Sequence, residues 1–450
     1  MAIITQQIEN ENSLSKSFQS FSKTYEVPEI LRQSNIKKEK GFSAAKIFTI
    51  LLTVIFTGKS LNRLTSEQRV DIKKDTFYRF INSVHANWAR FLTILSTKVI
   101  CKIIPLASEN RIYTLILDDT IFKRARSKAV ELLTRVQDHT DMKFYRGFRC
   151  LTLGWSDGST FIPVAFNLLS SALKKTRINE MNQSIDKRAN GYKRRQNAII
   201  NTNDAALQMI KGVKVRATHV LFDSWFAEMK MFKNLRQLGY HGIGMLKAKK
   251  GRCFTWKGKY LSLESLYARK SRRIPKNENR TSVVVKTNSG IKLKIVFVRS
   301  NHKNRDWIAI GTTDLSLTND EIIRLYARRW DIEVFFKTVK SHLGFAKEFS
   351  GRSYDMMCAE VTIVFTRYIM LAVTVRNQND PRTMGDLFFF VYDELHDFSL
   401  VQALAIIFKY IEETFGKFVE FSRIEQATSF FFAALPHYLR DLLPVCCCET

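Results

Sequence analysis

Apolar residues recur along the chain with two different periods, and the switch between them divides it. Over the first hundred residues they return every three to four positions, as in "DTFYRFINSVHANWARFL" at 75–92, which predicts an amphipathic helix opening on Asp75 as its cap. The solid run "IFTILLTVIF" at 47–56 is too short to cross a bilayer and too far from the start for a signal peptide, so it predicts a buried helix. From 111 the runs shorten and fill with β-branched residues. "RIYTLILDD" at 111–119, "FRCLTLGWSD" at 148–157 and "STFIPVAFNLL" at 159–169 read as strands, the last two joined by a turn at Asp157-Gly158. A helix near 203–211, a strand at 218–223, a helix at 224–239 and a strand at 241–248 follow, and helical spacing returns over 319–343. Strands first, then strand and helix in alternation, predict an α/β fold built on a mixed sheet flanked by helices.

The segment before that last helix carries both a strand signal and the charge. "TSVVVKTNSGIKLKIVFVRS" alternates around an Asn-Ser-Gly turn, a hairpin signature. From Lys247 to Arg305, 18 Lys and Arg residues stand against two acids, Glu264 and Glu278. Over all 450 residues the formal charge is +29, which repels itself unless an anionic partner neutralises it, and nucleic acid is the leading candidate. A second basic patch at 174–195, with eight bases and two acids, has little apolar periodicity and reads as a surface loop. The sign reverses at the end, where 377–450 holds five bases and eleven acids. Helical spacing there, as in "LVQALAIIFKYIEETFGKFVEF", suits protein contact or a solvated helical bundle rather than nucleic acid.

Composition narrows the picture further. With 45% hydrophobic and 12% aromatic residues the chain can bury sizeable cores and is not disordered. Its seven cysteines form no CxxC pair, so zinc is not expected, and the odd count with the high charge fits a reducing cytosol. The tail run Cys446-Cys447-Cys448 reads as incidental. No membrane association is expected.

Candidate chemistry begins with acids that end strands. Asp119, beside Asp118, follows "TLIL", and Asp223 follows "THVLF". A carboxylate at the carboxyl end of a core strand sits where open α/β sheets bind ligands, although Asp223 also stands where a helix cap would. Asp118 and Asp119 point to opposite faces of one strand, and composition cannot choose between them. A third acid lies in "YARRWDIEVFFKTVK" at 326–340. At about 100° per residue, Tyr326, Arg329, Glu333 and Lys340 fall within roughly 60° of arc, apart from an apolar stripe of Ile332, Phe335, Phe336 and Val339. Glu333 thus stands in a row suited to phosphates, where a negative charge opposes DNA unless a cation intervenes. Mg²⁺ held by carboxylates resolves the conflict, and two such ions would activate a water and stabilise a leaving oxygen. The simpler reading is a surface ion pair from Glu333 to Arg329.

The order Asp119, Asp223, Glu333, with Tyr326, Arg329, Glu333 and Lys340 spaced Y-x2-R-x3-E-x6-K, resembles the DDE transposases of bacterial cut-and-paste insertion sequences, in the branch that bears the Y-R-E-K signature. "LILDDT" resembles that branch's first-Asp motif and "VLFDSWF" its second. The resemblance spans about 111–343. It implies a ribonuclease H-like core over 106–348, a basic β-rich insertion at 247–306, a helical DNA-binding region at 1–105 and a helical dimerising region at 349–450. It favours Asp119 over Asp118, since the acid directly precedes Thr. It implies that Asp119, Asp223 and Glu333 hold Mg²⁺, with Mn²⁺ able to substitute, while Tyr326, Arg329 and Lys340 position phosphates. Trp307, 26 residues before Glu333, opens a stretch like the one whose Trp takes up a flipped base in relatives that pass through a hairpin. The implied activity is cleavage at an element's terminal inverted repeats and joining of the 3′-OH ends to target DNA, by a homodimer working in the cytoplasm on the nucleoid. The competing classes are a catalytically inactive DNA-binding repressor and a metal-dependent nuclease without strand transfer; the first would have lost the acids, which are present.

Overall fold

The computed structural model describes residues 12–378, apart from 68–69, 108–110, 139–140, 250, 273–279 and 300–306. Helices come first: α1 (Asn12–Thr24), α2 (Val27–Gln33), α3 (Ala44–Thr53), α4 (Leu61–Ser66), α5 (Lys74–Ile81) and α6 (Trp88–Ile103). The apolar run at 47–56 is buried as expected, with Ile47, Phe48 and Leu51 on α3 and Val54 and Phe56 on the 3₁₀ turn behind it. The single helix expected over 75–92 is instead two. Asn82 bonds back to the Tyr78 carbonyl as α5 ends, and the Asn87 side chain accepts from the Arg90 N–H to start α6. Asparagine side chains compete for backbone groups in this way, so they favour helix ends over interiors. Asp75 lies within the first turn of α5, and Lys73 holds the cap position.

The strands are β1 (Thr114–Lys123), β2 (Thr134–Gln137), β3 (Phe144–Ser156), β4 (Phe161–Leu169), β5 (His219–Phe222), β6 (His241–Leu246), β7 (Cys253–Trp256), β8 (Lys259–Ser262), β9 (Arg280–Lys286), β10 (Lys292–Arg299) and β11 (Trp307–Thr312). They form one mixed sheet in the order β2-β3-β1-β5-β6-β11-β10-β9-β7-β8, with β4 following β2 along the edge of β3 that faces away from β1. β1, β5 and β6 run parallel, and the remaining ladders are antiparallel. Central position explains the unbroken apolar "TLIL" of β1, which is covered on both faces. The basic strands continue this sheet, because β11 pairs with β6 from Ala309 opposite Leu246 to Thr312 opposite Ile243. The β9/β10 hairpin turns at Gly290 with φ 83°, as its Asn-Ser-Gly signature predicts.

Later helices are α7 (Asn190–Ala198), α8 (Thr202–Gly212), α9 (Met229–Gln237), α10 (Leu263–Ser271), α11 (Asn319–Ala327), α12 (Trp330–Ser341) and α13 (Tyr354–Gln378). The basic stretch at 174–195 is therefore only partly a loop. Its last residues belong to α7, where Arg195, 2% exposed, is a core cation paired with Glu131 and Asp355. α13 is long and apolar enough to cross a membrane, yet from Tyr354 to Val373 it is buried, packing against α6, α3, α5 and β4. Its Arg367 donates to the Leu51 and Leu52 carbonyls near the end of α3, where the helix dipole also favours a cation. Helices and sheet thus share a continuous core. Of the acidic helical region expected over 377–450, all but the first two residues, which end α13, lies outside the described residues.

Candidate active site

The parallel ladder between β1 and β5 ends with Leu117 opposite Phe222. One step on come Asp118 and Asp223, and residues opposite one another on neighbouring strands share a face. Asp118 feels the Asp223 charge directly. Asp119, by strand alternation, turns the other way and pairs with Arg149 of β3. The expectation that Asp119 accompanies Asp223 and Glu333 therefore does not match the geometry: the register puts Asp118 with them.

Beyond β5 the chain makes a turn rather than starting a helix at 224. One oxygen of Asp223 accepts the N–H groups of Trp225 at 2.9 Å and Phe226 at 3.4 Å, so the side chain closes a turn rather than capping a helix, while its strand-end position delivers it to Asp118. α9 begins only at Met229.

The helix expected over 319–343 is broken at Arg328 and Arg329. Both keep helical angles, but the N–H groups of 328, 329, 331 and 332 bond three residues back instead of four, a 3₁₀ turn between α11 and α12. The Arg328 guanidinium fixes the turn by donating to the Ile112 carbonyl at 2.6 Å. It also lies over Gly158, where a β-carbon would stand 2.9 Å from it and where φ is +87°, two reasons for glycine at that turn. α12 buries the anticipated stripe of Ile332, Phe335, Phe336 and Val339, with Phe335 packed edge-on to Phe365 and Tyr368 of α13. Each such side chain contributes about 1.5–3 kcal/mol. Packing of that face leaves Glu333 directed at β1.

Arg329 links the pieces. It donates to Asp118 at 3.1 Å and to Glu333 one turn along. The ion pair between Arg329 and Glu333 is thus present, shared with Asp118. Burial first, then the neighbouring Asp119 and Asp223, push the Asp118 carboxyl up to about 7, with the Asp119 N–H and Arg329 pulling the other way. Tyr326, whose ring lies 5.9 Å from the Arg329 guanidinium, has its hydroxyl buried without a well-formed hydrogen bond among the described residues. Burial pushes it up to about 12, which Arg329 opposes and Asp223 reinforces.

Lys340 does not join this group. It lies beside Asp138, Lys123, Cys150 and Asp119, and burial lowers its pKa against the pull of Asp138. Trp307 starts β11 at the end toward which β5 and β6 run, the same end as Asp223. Its ring stacks on Tyr267, centroids 4.5 Å apart, and meets Phe297 edge-on, so packing within the insertion is reason enough for an aromatic there. Sequence reasoning passed over two exposed indoles near the acids, Trp225 (53% exposed) and Trp330 (62%). Their position beside Asp223 and Glu333 was legible, but their exposure depends on the turns just described.

Three carboxylates are hard oxygen donors and fit a divalent cation such as Mg²⁺ or Mn²⁺ in chemistry. In arrangement they fall short, because Arg329 occupies two of them, and among the described residues no three acid, His or Cys side chains are grouped to hold an ion.

Comparison with known proteins adds the family. No curated protein matches the chain. Among solved structures it is similar to a piggyBac transposase synaptic complex with hairpin DNA determined by cryo-EM, at 12% identity and a TM-score of 0.46, over 96% of this chain and 86% of that one. The sequence pattern of the DDE superfamily endonucleases matches residues 36–284, a span that includes Asp118, Asp119 and Asp223 and ends before Glu333. That span exceeds half of the 450 residues, and the chain belongs to the DDE superfamily endonucleases.

Proposed function

We propose that this endonuclease is a cut-and-paste transposase of the insertion-sequence kind, which cleaves the phosphodiester at its element's ends and joins the freed 3′-OH ends to target DNA. The observation that supports the reading is that Asp118 of β1 lies within electrostatic reach of Asp223, at the end of β5, and is joined through Arg329 to Glu333 of α12. Asp118, Asp223 and Glu333 would hold divalent cations, Mg²⁺ with Mn²⁺ as substitute, which would supply a nucleophile at neutral pH and stabilise the leaving oxygen. Tyr326 and Arg329 bind and orient the phosphate beside the acids, and Lys340 with Lys123 extends the cationic track along β1.

We read the core as ribonuclease H-like, which the order β4-β3-β1-β5-β6, with acids on the two adjacent parallel strands, supports. The added strands supply a DNA-contacting face: exposed Lys286 and Lys292 stand directly opposite each other on β9 and β10, an arrangement that repels unless an anion lies between. Recognition of the terminal repeats is assigned to the helical region 1–105, and pairing of two copies, needed to join two ends, to the region from 349 onward. The setting is the bacterial cytoplasm, on the nucleoid.

The test is Glu333→Gln on duplex DNA carrying the element's ends, with Mg²⁺ and a supercoiled target. Binding should be unchanged or slightly tighter and cleavage should drop by orders of magnitude. Cleavage near the wild-type rate would overturn the assignment, and cleavage without joining by the wild type would leave a nuclease.

A further inference from the structure

One guanidinium stands where the proposed function calls for a cation. Arg329 spans Asp118 and Glu333, all three side chains being largely buried, with 18%, 16% and 34% of their surfaces exposed. It is carried on the 3₁₀ turn between α11 and α12, whose backbone bonds reach back three residues and are more easily rearranged than those of a regular helix. The same planar fork that fits a carboxylate fits a phosphate.

We propose that Arg329 is an exchangeable counter-ion, holding Asp118 and Glu333 together without DNA and releasing them when a DNA phosphate draws the guanidinium away. Divalent-cation binding at the acids then depends on DNA, and by linkage the cation raises DNA affinity by the same factor. The endonuclease is kept from loading its cation until a strand lies in the site. This rests on the metal-holding role of the three acids proposed above and adds to it the order of events.

The test measures Mn²⁺ binding by electron paramagnetic resonance of the free ion, on the full chain, with and without a short duplex of arbitrary sequence, after subtracting ions bound by the duplex alone. Wild type should bind Mn²⁺ weakly by itself and about tenfold or more tightly with DNA, within the usual range of coupling factors. Arg329→Gln should bind Mn²⁺ tightly with or without DNA, and Arg329→Lys, a point charge that cannot span both acids, should fall between. Melting curves run alongside should show Arg329→Gln destabilised and restored by Mn²⁺ more than wild type is. If Arg329→Gln does not fold, the wild-type comparison decides alone. Equal wild-type affinity with and without DNA, or a folded Arg329→Gln no tighter than wild type, overturns the proposal. Glu333→Gln separates this from the underlying reading: if wild type with DNA binds no more Mn²⁺ than Glu333→Gln does, the acids hold no cation and the functional reading fails as well.

Discussion

Two groups of enclosed carboxylates in this molecule meet the same problem with opposite results. Around Arg195, the Glu131 and Asp355 side chains receive five guanidinium contacts: two on Glu131 at 2.6 and 2.7 Å, two on Asp355 from Arg195 at 2.9 and 2.7 Å, and Arg194 Nε 2.9 Å from Asp355. Two cations balance two anions, and although burial raises the Glu131 pKa, Arg195 and the Asn182 N–H bring it below its ordinary value. At the end of β5, Arg329 is shared by Asp118 and Glu333 alongside Asp223, and the Asp118 carboxyl is pushed up instead. A charge-balanced cluster needs no further ligand, whereas a cluster left negative amid a chain of +29 is what the proposed cation binding calls for. The upward shift alone does not distinguish them, since Glu360, held by Arg124, is also pushed to about 7, chiefly by burial.

The comparison breaks most visibly at Arg195. Arg195→Ala leaves Glu131 without its guanidinium and Asp355 with Arg194 alone, and should cost about 3–5 kcal/mol in urea unfolding, with no rescue by Mg²⁺. A loss that Mg²⁺ reverses would mean this cluster too binds cations.

Glu360 sharpens the structural side. Its folded-state pKa of about 7 lies above the unfolded value of about 4.3, so between those pH values the folded protein holds the extra proton. Its contribution is fully present below about pH 4 and is lost as pH rises through 7, at no more than about 1.4 kcal/mol per pH unit. Unfolding of Glu360→Gln across that window should lack this slope, and an unchanged slope would place the titration elsewhere.

The smallest effect tests surplus charge of the other sign. Replacing Lys286 and Lys292 together by Gln should leave stability equal or slightly higher, weaken DNA binding by about tenfold, and lower the salt slope by roughly one to two. Deleting 247–305 is a poorer probe, because β9 and β10 belong to the sheet that carries the acids. An unchanged salt slope in the double variant would remove this face from the DNA contact.

Much of the fold was legible because period and punctuation are local. The hairpin at Gly290, the buried run at 47–56, the strand-end acids and the apolar stripe of α12 each follow from a few neighbouring residues. What was not legible depends on distant partners. The choice between Asp118 and Asp119 is made by the register of β1 on β5, and the break at Arg328 by a carbonyl at Ile112, with no Gly or Pro to announce it. Arg195 looked like one more base in a basic run until Asp355, 160 residues later, closed over it.

The most direct test of the central claim sets Asp118→Asn against Asp119→Asn in cleavage of end-bearing duplex DNA with Mn²⁺, with binding measured alongside. Asp118→Asn should bind DNA and cleave at background, while Asp119→Asn, which loses the pairing to Arg149, should keep cleavage within about an order of magnitude of wild type. Full cleavage by Asp118→Asn with none by Asp119→Asn would contradict the account.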